Sequence, residues 1–400
     1  MKASPADTFS APATGAPATV ERRQETIRVL HLDAGNLYGG VEAMLVTLAS
    51  ARGLRPRMEP HFAVCYEGRL SRELMATGVP VHLLGRVRMR LPWTAWRARR
   101  RLQVLLQQER FDLVVCHMDW SWLIFGPIAR AAGNAVALWT HGFPARRNWL
   151  DRMAARISPD AAIANSRFTA SFLERRFPDV PREVIYCPVA ASTSPDAGNW
   201  RTGLRRQFAV GDDTPVIIQV SRLEAWKGHS LLLEGLSKLK QCGPWVCWIV
   251  GGPQKPDEER YFEQLQALSD RLGLTGRIRF LGQRADVPKL LAAADIFCQP
   301  NLEPEPFGMV FVEALSAGRP VVTTAMGGAL EIVDESCGLL TKPRDPDELA
   351  LALRRLIESP ELRSGLGRAG AARARQLCDP MLQMAKLEAV ARGRGRHDYS

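Results

Sequence analysis

The sequence is poor in the features that organise small or metal-stabilised proteins. Its eight cysteines form no C-x-x-C pair, lie mostly within apolar runs, and make no cluster with histidine at metal-ligand spacing. We therefore expect reduced thiols in a cytosolic protein, without a disulfide framework or a zinc site. No carboxylate cluster indicates magnesium or manganese, and no resident cofactor is expected.

A long apolar run is also missing. The longest one, Trp120–Trp139, is interrupted by Pro127, Arg130 and Asn134, so we do not expect a membrane-spanning helix. Residues 1–25 hold a tract rich in Pro, Ala, Thr and Ser that lacks the apolar core of a secretory signal. We predict that this segment is a disordered tail.

What is present is the composition of a globular protein of more than one domain: 400 residues, of which 46% are hydrophobic and 24% charged. The formal charge of +11 is unevenly distributed. Residues 1–195 carry 26 basic and 16 acidic residues, a net of +10, whereas residues 196–400 carry 27 and 26, a net of +1. The excess favours a polyanionic partner for the first half: nucleic acid, an acidic membrane surface or a phosphorylated substrate.

Short β-branched runs alternate with longer amphipathic runs from Ile27 onward. This alternation is typical of α/β folds, in which parallel sheets carry helices on both faces, and it stops once, at the Pro/Ser/Asp/Gly-rich stretch 188–214. We predict two Rossmann-like β/α/β domains that face a central cleft. The predicted segments are a first domain at residues 26–190, a linker at 191–212, a second domain at 213–378, and a returning C-terminal helix with a tail at 379–400.

Polar residues that follow the predicted strands are the candidates for a site, because ligands bind at the carboxyl ends of parallel strands. Gly39 and Gly40 open a helix after the first strand, where their backbone can approach an anion, although a tight turn alone would also use them. His141 follows the fifth strand, although a lone histidine can equally be structural. Arg222 and Lys227 suit a diphosphate at a helix N-terminus, with a solvated charge pair as the alternative.

The most informative stretch is NLEPEPFGMVFVEALSAGRP at residues 301–320. Glu305 lies just before Pro-Phe-Gly, and Glu313 follows eight residues later, inside a helix predicted to begin near Met309. Two carboxylates can each bind a pair of sugar hydroxyls, and the free amides around the helix start can hold phosphate oxygens. A chance pair of surface glutamates is the alternative. Gly252 lies in another glycine turn that faces the same cleft.

With these residues, the chain resembles the retaining glycosyltransferases of the GT-B fold, and among them family 4. The resemblance runs in the right order over residues 27–378, and the two glutamates in their Phe-Gly setting are its most specific element. It is carried by Gly39-Gly40-Val41-Glu42, Thr140-His141-Gly142, Asn165-Ser166, Ser221-Arg222-Leu223 with Lys227-Gly228, Val250-Gly251-Gly252-Pro253, Glu305-Pro306-Phe307-Gly308 with Glu313-Ala314, and Gly338-Leu339-Leu340.

The resemblance implies transfer of a sugar from a nucleotide-sugar to a hydroxyl of a saccharide or lipid-linked acceptor, with retention and without a metal, in bacterial cell-surface polysaccharide or glycolipid synthesis. Arg222 and Lys227 would hold the donor diphosphate and stabilise the leaving nucleotide. Glu305 would bind hydroxyls of the donor sugar, Glu313 those of the ribose, and His141 would contact the sugar near its reacting carbon.

The remaining implied roles concern loops. Gly39 and Gly40 would border the acceptor and the diphosphate, and Glu303 is a carboxylate that competes with Glu305 until Phe307-Gly308 fixes the register. The nucleobase would lie near Gln283 and Arg284. Backbone amides would come from Gly252, Gly308, Met309 and Val310.

Two literal motif matches are rejected. Gly365–Gly370 spells GxGxxG, but it lies in an Ala/Arg-rich helical region and follows no strand. Asp345-Pro346-Asp347 spells the DxD of metal-dependent sugar transferases, but its turn begins a helix, where Asp347 and Glu348 suit capping.

Seven arginines and no acids occupy residues 86–101. A basic, Trp-bearing amphipathic segment is typical of surfaces that bind anionic lipids, so we predict peripheral contact with the inner face of the cytoplasmic membrane. A solvated helix and a nucleic-acid surface are the alternatives, and since the DNA- and RNA-binding signatures are missing, nucleic acid is not an expected partner. The patch comprises Arg86, Arg88, Arg90, Trp93, Trp96, Arg97, Arg99, Arg100 and Arg101.

Two other functions stay open at this stage. One is a sugar-nucleotide epimerase of the same fold, against which the cation pair and the glutamate pair argue because no acid and base flank a sugar carbon. The other is a non-catalytic GT-B scaffold. The donor nucleotide, whether UDP, GDP or ADP, and the sugar cannot be read from the sequence.

Overall fold

The computed structural model describes residues 26–36, 38–88, 90–142, 149–154, 156–189 and 196–393. The predicted disordered tail at residues 1–25, the beginning of the predicted linker at 191–195 and the end of the C-terminal tail at 394–400 lie outside the described residues.

The first sheet has seven strands, all parallel, because each apolar run is followed by an amphipathic segment that returns over the sheet. Their order is β3-β2-β1-β4-β5-β6-β7, so the order reverses between β1 and β4. Loops at such a reversal diverge and leave a crevice for ligands. The strands are β1 Ile27–Asp33, β2 Met58–Val64, β3 Val81–Leu83, β4 Leu113–His117, β5 Ala135–Thr140, β6 Ala161–Ala164 and β7 Arg182–Val184.

The second sheet has six parallel strands in the order β10-β9-β8-β11-β12-β13, with its reversal between β8 and β11. The α/β fold class with two Rossmann-like units is therefore confirmed. The strands are β8 Val216–Val220, β9 Val246–Val250, β10 Ile278–Gly282, β11 Ile296–Gln299, β12 Val321–Thr324 and β13 Gly338–Thr341.

Fifteen α-helices and two short 3-10 helices connect the strands in the described part of the chain. The 3-10 helices are Arg52–Leu54 and Ala225–Lys227. The α-helices are α1 Gly40–Ser50, α2 Arg69–Ala76, α3 Pro92–Gln108, α4 Met118–Ala131, α5 Trp149–Ala154, α6 Arg167–Arg176, α7 Ala197–Gln207, α8 His229–Ser237, α9 Pro256–Arg271, α10 Val287–Ala293, α11 Met309–Ser316, α12 Ala329–Ile332, α13 Pro346–Glu358, α14 Pro360–Cys378 and α15 Pro380–Ala391.

Both rejected motifs lie in helical structure. Gly365–Gly370 lies inside α14, where a Cβ at Gly367 would come within 2.2 Å of the Gly318 carbonyl oxygen, so the glycine serves close packing. Asp345 is the N-cap of α13, and its carboxylate accepts the amides of Asp347 and Glu348. The capping residue is thus Asp345, not the two acids after it, because the residue before the first helical turn reaches those amides.

Contacts join the two units at several points. Ser166, the N-cap of α6, donates its hydroxyl to the Pro306 carbonyl at 2.6 Å. The C-terminal helix α15 packs against α1 and β1, and Lys386 Nζ donates to the Val184 carbonyl at 2.9 Å. Because these contacts bring the carboxyl ends of both sheets together, the switch points face each other across a cleft. Among the described residues, no helix is long and apolar enough to cross a bilayer.

Candidate active site

A cavity of about 570 Å³ lies between the carboxyl ends of the two sheets. The structure brings all the predicted donor-site residues to its wall, from both units, although the ligand that each would bind stays a prediction. These residues are Gly39, Gly40, His141, Arg222, Lys227, Gly252, Gln283, Arg284, Glu305, Gly308, Met309, Val310 and Glu313.

Glu305 follows β11 and is buried. Its Oε2 accepts hydrogen bonds from Lys227 Nζ at 2.7 Å, Asn301 Nδ2 at 2.9 Å and Gln299 Nε2 at 3.3 Å. No described side chain bonds to Oε1, so this oxygen is left for a ligand in the cavity. Glu303 is exposed and does not line the cavity, which agrees with the Phe-Gly register.

Gln299 and Asn301 contact the Glu305 carboxylate and were not among the predicted site residues. Both are buried and support the Glu305 carboxylate. The loop around them is fixed by its backbone: Leu302 N donates to the Trp226 carbonyl at 2.7 Å, and Gly328 N donates to the Glu305 carbonyl at 2.7 Å. The available signal was polar residues at positions i and i+2 at the end of an apolar strand, which directs both side chains to one face.

The two cations differ in their surroundings. Lys227 ends a 3-10 turn, its Nζ lies 3.9 Å from the centre of the Trp226 ring, and only 13% of its side chain is exposed. Arg222 is 39% exposed and pairs with Glu224 at 3.0 Å. Lys227 is therefore held in place beside Glu305, whereas Arg222 lies at the rim with donors to spare for an anion.

The next residue, Gly228, has a backbone that only glycine can supply there. Its φ is +75°, and a Cβ would lie 1.8 Å from the Pro300 carbonyl oxygen. This close approach of two backbones brings the cation loop against the Pro300–Glu305 loop. The Lys227–Glu305 contact depends on it.

The N-terminus of α11 supplies free amides. Gly308 precedes the helix with φ +98° and accepts the Phe311 amide at 2.9 Å, which leaves the amides of Met309 and Val310 without an acceptor within the helix. They point toward the cavity wall with the positive end of the helix dipole, which suits a phosphate. One turn later, burial raises the pKa of Glu313 to about 7.

The first unit closes the cavity from the other side. Gly39 N donates to Glu42 Oε2 at 2.8 Å, which fixes the start of α1 and keeps Glu42 as a capping carboxylate. A Cβ at Gly40 would lie 3.4 Å from Met309 Sδ, so the glycine loop touches the start of α11. His141 is buried at the end of β5, and burial lowers its pKa to about 3, so the imidazole is neutral.

Tyr38 and Arg69 also line the cavity and were not predicted. The Arg69 guanidinium lies 3.7 Å from the centre of the Tyr38 ring, and its Nε donates to Glu73 at 2.7 Å. The Tyr38 hydroxyl donates to the same carboxylate. No local motif indicates this group, because Tyr38 and its partners are 31 and 35 positions apart in the sequence.

Gln283 and Arg284 lie where a glycine turn meets the loop after β10. A Cβ at Gly252 would come within 2.9 Å of the backbone nitrogen of Gln283, so the glycine permits this approach. The Arg284 guanidinium makes two hydrogen bonds of 2.8 Å to Asp286. Arg284 therefore presents a guanidinium plane that is already neutralised, rather than a free cation.

One group of side chains in the described part of the chain is close enough to share a metal: His61, His82 and Glu109, whose ligand atoms lie within 4.8 Å of one another. Arg28 Nη2 lies 2.6 Å from Glu109 Oε2 and 3.1 Å from His61 Nε2. Because the guanidinium already neutralises the carboxylate, this group is best interpreted as an ion-pair network. It does not line the cavity.

The predicted membrane patch lies on α3 and the loop before it. Trp93 and Trp96 are 57% and 67% exposed, and Arg97 and Arg100 share their surface. Arg99 is an exception, because its Nε donates to the Ile124 carbonyl at 2.8 Å and ties α3 to α4. Arg99 is therefore engaged in a contact with α4 and is not part of the exposed membrane patch.

The chain has a polar cleft between two parallel-sheet units, and solved structures with the same arrangement match it. The chain matches the structure of Anabaena Alr3699/HepE in complex with UDP and glucose with a TM-score of 0.80 and 26% identity, over 91% of this chain and 99% of that one. It also matches WaaG, a glycosyltransferase involved in lipopolysaccharide biosynthesis, with a TM-score of 0.65 and 20% identity, over 92% of this chain and 100% of that one. The protein has the GT-B fold of glycosyltransferases.

Sequence comparison gives the family. Residues 38–192 match the family described as Glycosyltransferase Family 4, and residues 201–373 match Glycosyl transferases group 1. The GDP-mannose-dependent alpha-(1-6)-phosphatidylinositol monomannoside mannosyltransferase of Mycolicibacterium smegmatis is 31% identical over 270 residues, which cover 62% of this chain and 67% of that protein. The chain belongs to glycosyltransferase family 4 and is a transferase.

Proposed function

We propose that this transferase moves a hexose from a nucleoside-diphosphate sugar to a hydroxyl of a lipid-linked or saccharide acceptor, with retention of the anomeric configuration. The observation that carries the proposal is the buried Lys227–Glu305 pair, set beside Arg222 and the free amides of α11 in one cavity. Cations and helix amides suit a diphosphate, and a carboxylate with one free oxygen suits sugar hydroxyls.

The roles follow from this arrangement. Arg222 and Lys227 stabilise the charge that develops on the leaving diphosphate, which is electrostatic work that cations can do without a metal ion. Glu305 Oε1 accepts hydrogen bonds from sugar hydroxyls, and Glu313 accepts them from the ribose. Retention would follow a front-face path in which the leaving phosphate takes the proton of the acceptor hydroxyl.

The acceptor side has features of its own. Relatives include an enzyme named for phosphatidylinositol monomannoside and several named D-inositol 3-phosphate glycosyltransferase, among them one from Geodermatophilus obscurus. The α3 patch with its two exposed tryptophans supports an acceptor at an anionic membrane surface. We therefore place the enzyme at the inner face of the cytoplasmic membrane, in the synthesis of a cell-surface glycolipid or polysaccharide.

The test compares Glu305→Gln with the matched control Glu303→Gln. We expect Glu305→Gln to lower kcat/KM for release of UDP or GDP from the matching hexose donor by about 100-fold, because a neutral amide no longer pairs with Lys227. Glu303 is exposed, so its variant keeps the activity of the parent. Equal activity of the two variants would contradict the assignment.

Three further measurements complete the test. Thermal-shift binding of UDP, GDP and ADP identifies the nucleotide, and the anomeric proton of the product shows whether configuration is retained. Activity in excess EDTA equal to that without it is expected of a metal-independent reaction. An inverted product would exclude the proposed path.

A further inference from the structure

Three buried histidines form a hydrogen-bonded chain that ends at the cavity. His31 Nδ1 lies 3.0 Å from His117 Nε2, and His117 Nδ1 lies 2.9 Å from His141 Nε2. They come from β1, β4 and the end of β5, which are neighbours in the sheet although 110 positions separate the first from the last. His141 is the member that lines the cavity.

The position of the proton on each of the three histidine rings fixes its position on the other two. Three neutral imidazoles carry three N–H groups, and each of the two ring–ring hydrogen bonds contains one of them. The third proton must sit at one end, either on His31 Nε2 or on His141 Nδ1. Both of these atoms are buried and have no hydrogen-bond partner among the described residues.

The two ends differ in what they can meet. The His31 ring stacks on Phe62, with ring centres 5.1 Å apart, inside the apolar core. An N–H there would stay unpaired, which is among the most unfavourable states of a buried polar group. His141 lines the cavity, so its Nδ1, although buried, is the end of the histidine chain that lies nearer to an acceptor on a bound substrate. Trp139 stacks on the His141 ring at 5.4 Å and holds its plane.

We propose that His31 and His117 are positioning residues that hold His141 in the tautomer with its proton on Nδ1, so that this N–H is a hydrogen-bond donor to an oxygen of the sugar donor. In this arrangement His31 Nδ1–H donates to His117 Nε2, and His117 Nδ1–H donates to His141 Nε2. Burial keeps the rings neutral, as the lowered pKa of all three indicates. The contact with the sugar rests on the proposed function, whereas the tautomer rests on the position of His141 at a cavity that can hold an acceptor, whatever the ligand is.

The tautomer can be measured directly. In the full chain labelled with ¹⁵N-histidine, two-bond ¹⁵N–¹H correlation spectra identify which ring nitrogen carries the proton, and single variants assign the signals. We expect His31, His117 and His141 all to carry it on Nδ1. A proton on His141 Nε2 would overturn the proposal, whether or not sugar transfer is observed.

A pair of variants at His117 tests the consequence. An asparagine can offer its amide N–H in place of the Nδ1–H, whereas a leucine cannot. We expect His117→Asn to keep kcat/KM within about threefold and His117→Leu to lose about tenfold or more, by analogy with the loss found when a partner that orients a metal-binding histidine is removed. A packing role would give the opposite order, since leucine suits a buried site better.

Thermal unfolding of both variants separates the two explanations. The proposal is supported if His117→Leu is folded and less active than His117→Asn, and it is overturned if the two have equal activity. If His117→Leu does not fold, the spectra of the parent chain still decide the tautomer. If the parent protein has the expected tautomer but transfers no sugar, the proposed function is contradicted and the tautomer assignment stands.

Discussion

At the scale of single residues, the Lys227–Glu305 pair affects both the stability of the fold and the proposed binding of the donor. Only 13% and 9% of the two side chains are exposed, and Nζ and Oε2 lie 2.7 Å apart. Removal of one partner from a buried ion pair leaves an unpaired charge, which is more costly than removal of both. Each partner is therefore required for stability as long as the other is present, in addition to the proposed role of the pair in binding the donor.

A double-mutant cycle tests this coupling. We expect Lys227→Met to lower the free energy of unfolding by about 3 kcal/mol, because Glu305 keeps its charge without its cation. Lys227→Met combined with Glu305→Leu should be more stable than Lys227→Met alone, since no buried charge remains. Urea unfolding of the parent, both single variants and the double variant gives the coupling energy. Additive effects would mean that the two side chains act independently.

Glu313 gives a pH dependence of stability. Burial raises its pKa from an ordinary value near 4.5 to about 7 in the folded protein. Between these values the unfolded chain has lost this proton and the folded chain keeps it, so the contribution of Glu313 to stability falls as the pH rises from about 4.5 to 7 and is constant above that.

Glu313→Gln removes this contribution. We therefore expect the variant to gain stability relative to the parent as the pH increases from 5 to 8, measured as the difference between their free energies of urea unfolding at each pH. Other buried acids, such as Asp33, titrate in both proteins and cancel in the difference. A difference that does not change with pH would show that Glu313 is ionised at an ordinary pKa.

At the scale of elements, the sequence predicted which segments are strands better than where they end. The apolar runs predict strands at thirteen places, and a strand forms at or beside each of them. However, β2 is Met58–Val64 where the run predicts Phe62–Tyr66, and β7 is Arg182–Val184 where the run predicts Val184–Cys187. The observed start places Pro60, which lacks an N–H, inside the strand. In the sheet, β2 pairs with β1 over its whole length and with β3 only from Phe62 onward, so Pro60 faces no partner on the β3 side.

Residues of the site were predictable where a local sequence pattern marks them, and not where only the folded sheet brings them together. Glu305, Lys227 and the start of α11 were predictable, because each lies in a local pattern of strand, turn and helix. Gln299 and Asn301 had only a weak signal, and the histidine chain had none. His31, His117 and His141 meet through the strand order β1-β4-β5, which is a property of the sheet and not of any local spacing.

Helix α3 is the element expected to meet a membrane. We expect the protein to co-sediment with anionic liposomes at low salt and to be released as salt rises, because charges on an exposed surface are screened. Replacement of Arg97 and Arg100 by Gln and of Trp93 and Trp96 by Ala should reduce binding at least tenfold.

The control removes the same number of charges elsewhere. Arg368 and Arg375 are exposed on α14 in the second unit, and their replacement by Gln should leave liposome binding unchanged. Equal loss in both variants would indicate a response to net charge alone. Arg99 is kept in both, because its contacts with α4 are structural.

At the scale of the whole molecule, the two units are joined next to the site. Glu331 of the second unit accepts the amides of Arg167 and Phe168 at 2.8 Å, at the N-terminus of α6 in the first unit. Tyr186 donates its hydroxyl to the same carboxylate at 2.9 Å. A carboxylate at a helix N-terminus is favoured by the unpaired amides and the dipole there, so Glu331 holds the units together beside the Pro306 carbonyl that Ser166 binds.

Removal of this contact should favour an arrangement in which the two units are further apart. In Glu331→Ala the α6 amides lose a partner that only the closed arrangement supplies, so the open arrangement should be more populated, with a larger radius of gyration in solution scattering. The KM for the donor should rise about tenfold, since closure completes the cavity wall. Glu335→Ala is the control, because Glu335 is an exposed glutamate four positions after Glu331. If Glu331→Ala has the scattering curve and KM of the control, the α6 contact contributes nothing to closure, and the site is closed by the packing of the Met309 side chain beside Gly40 instead.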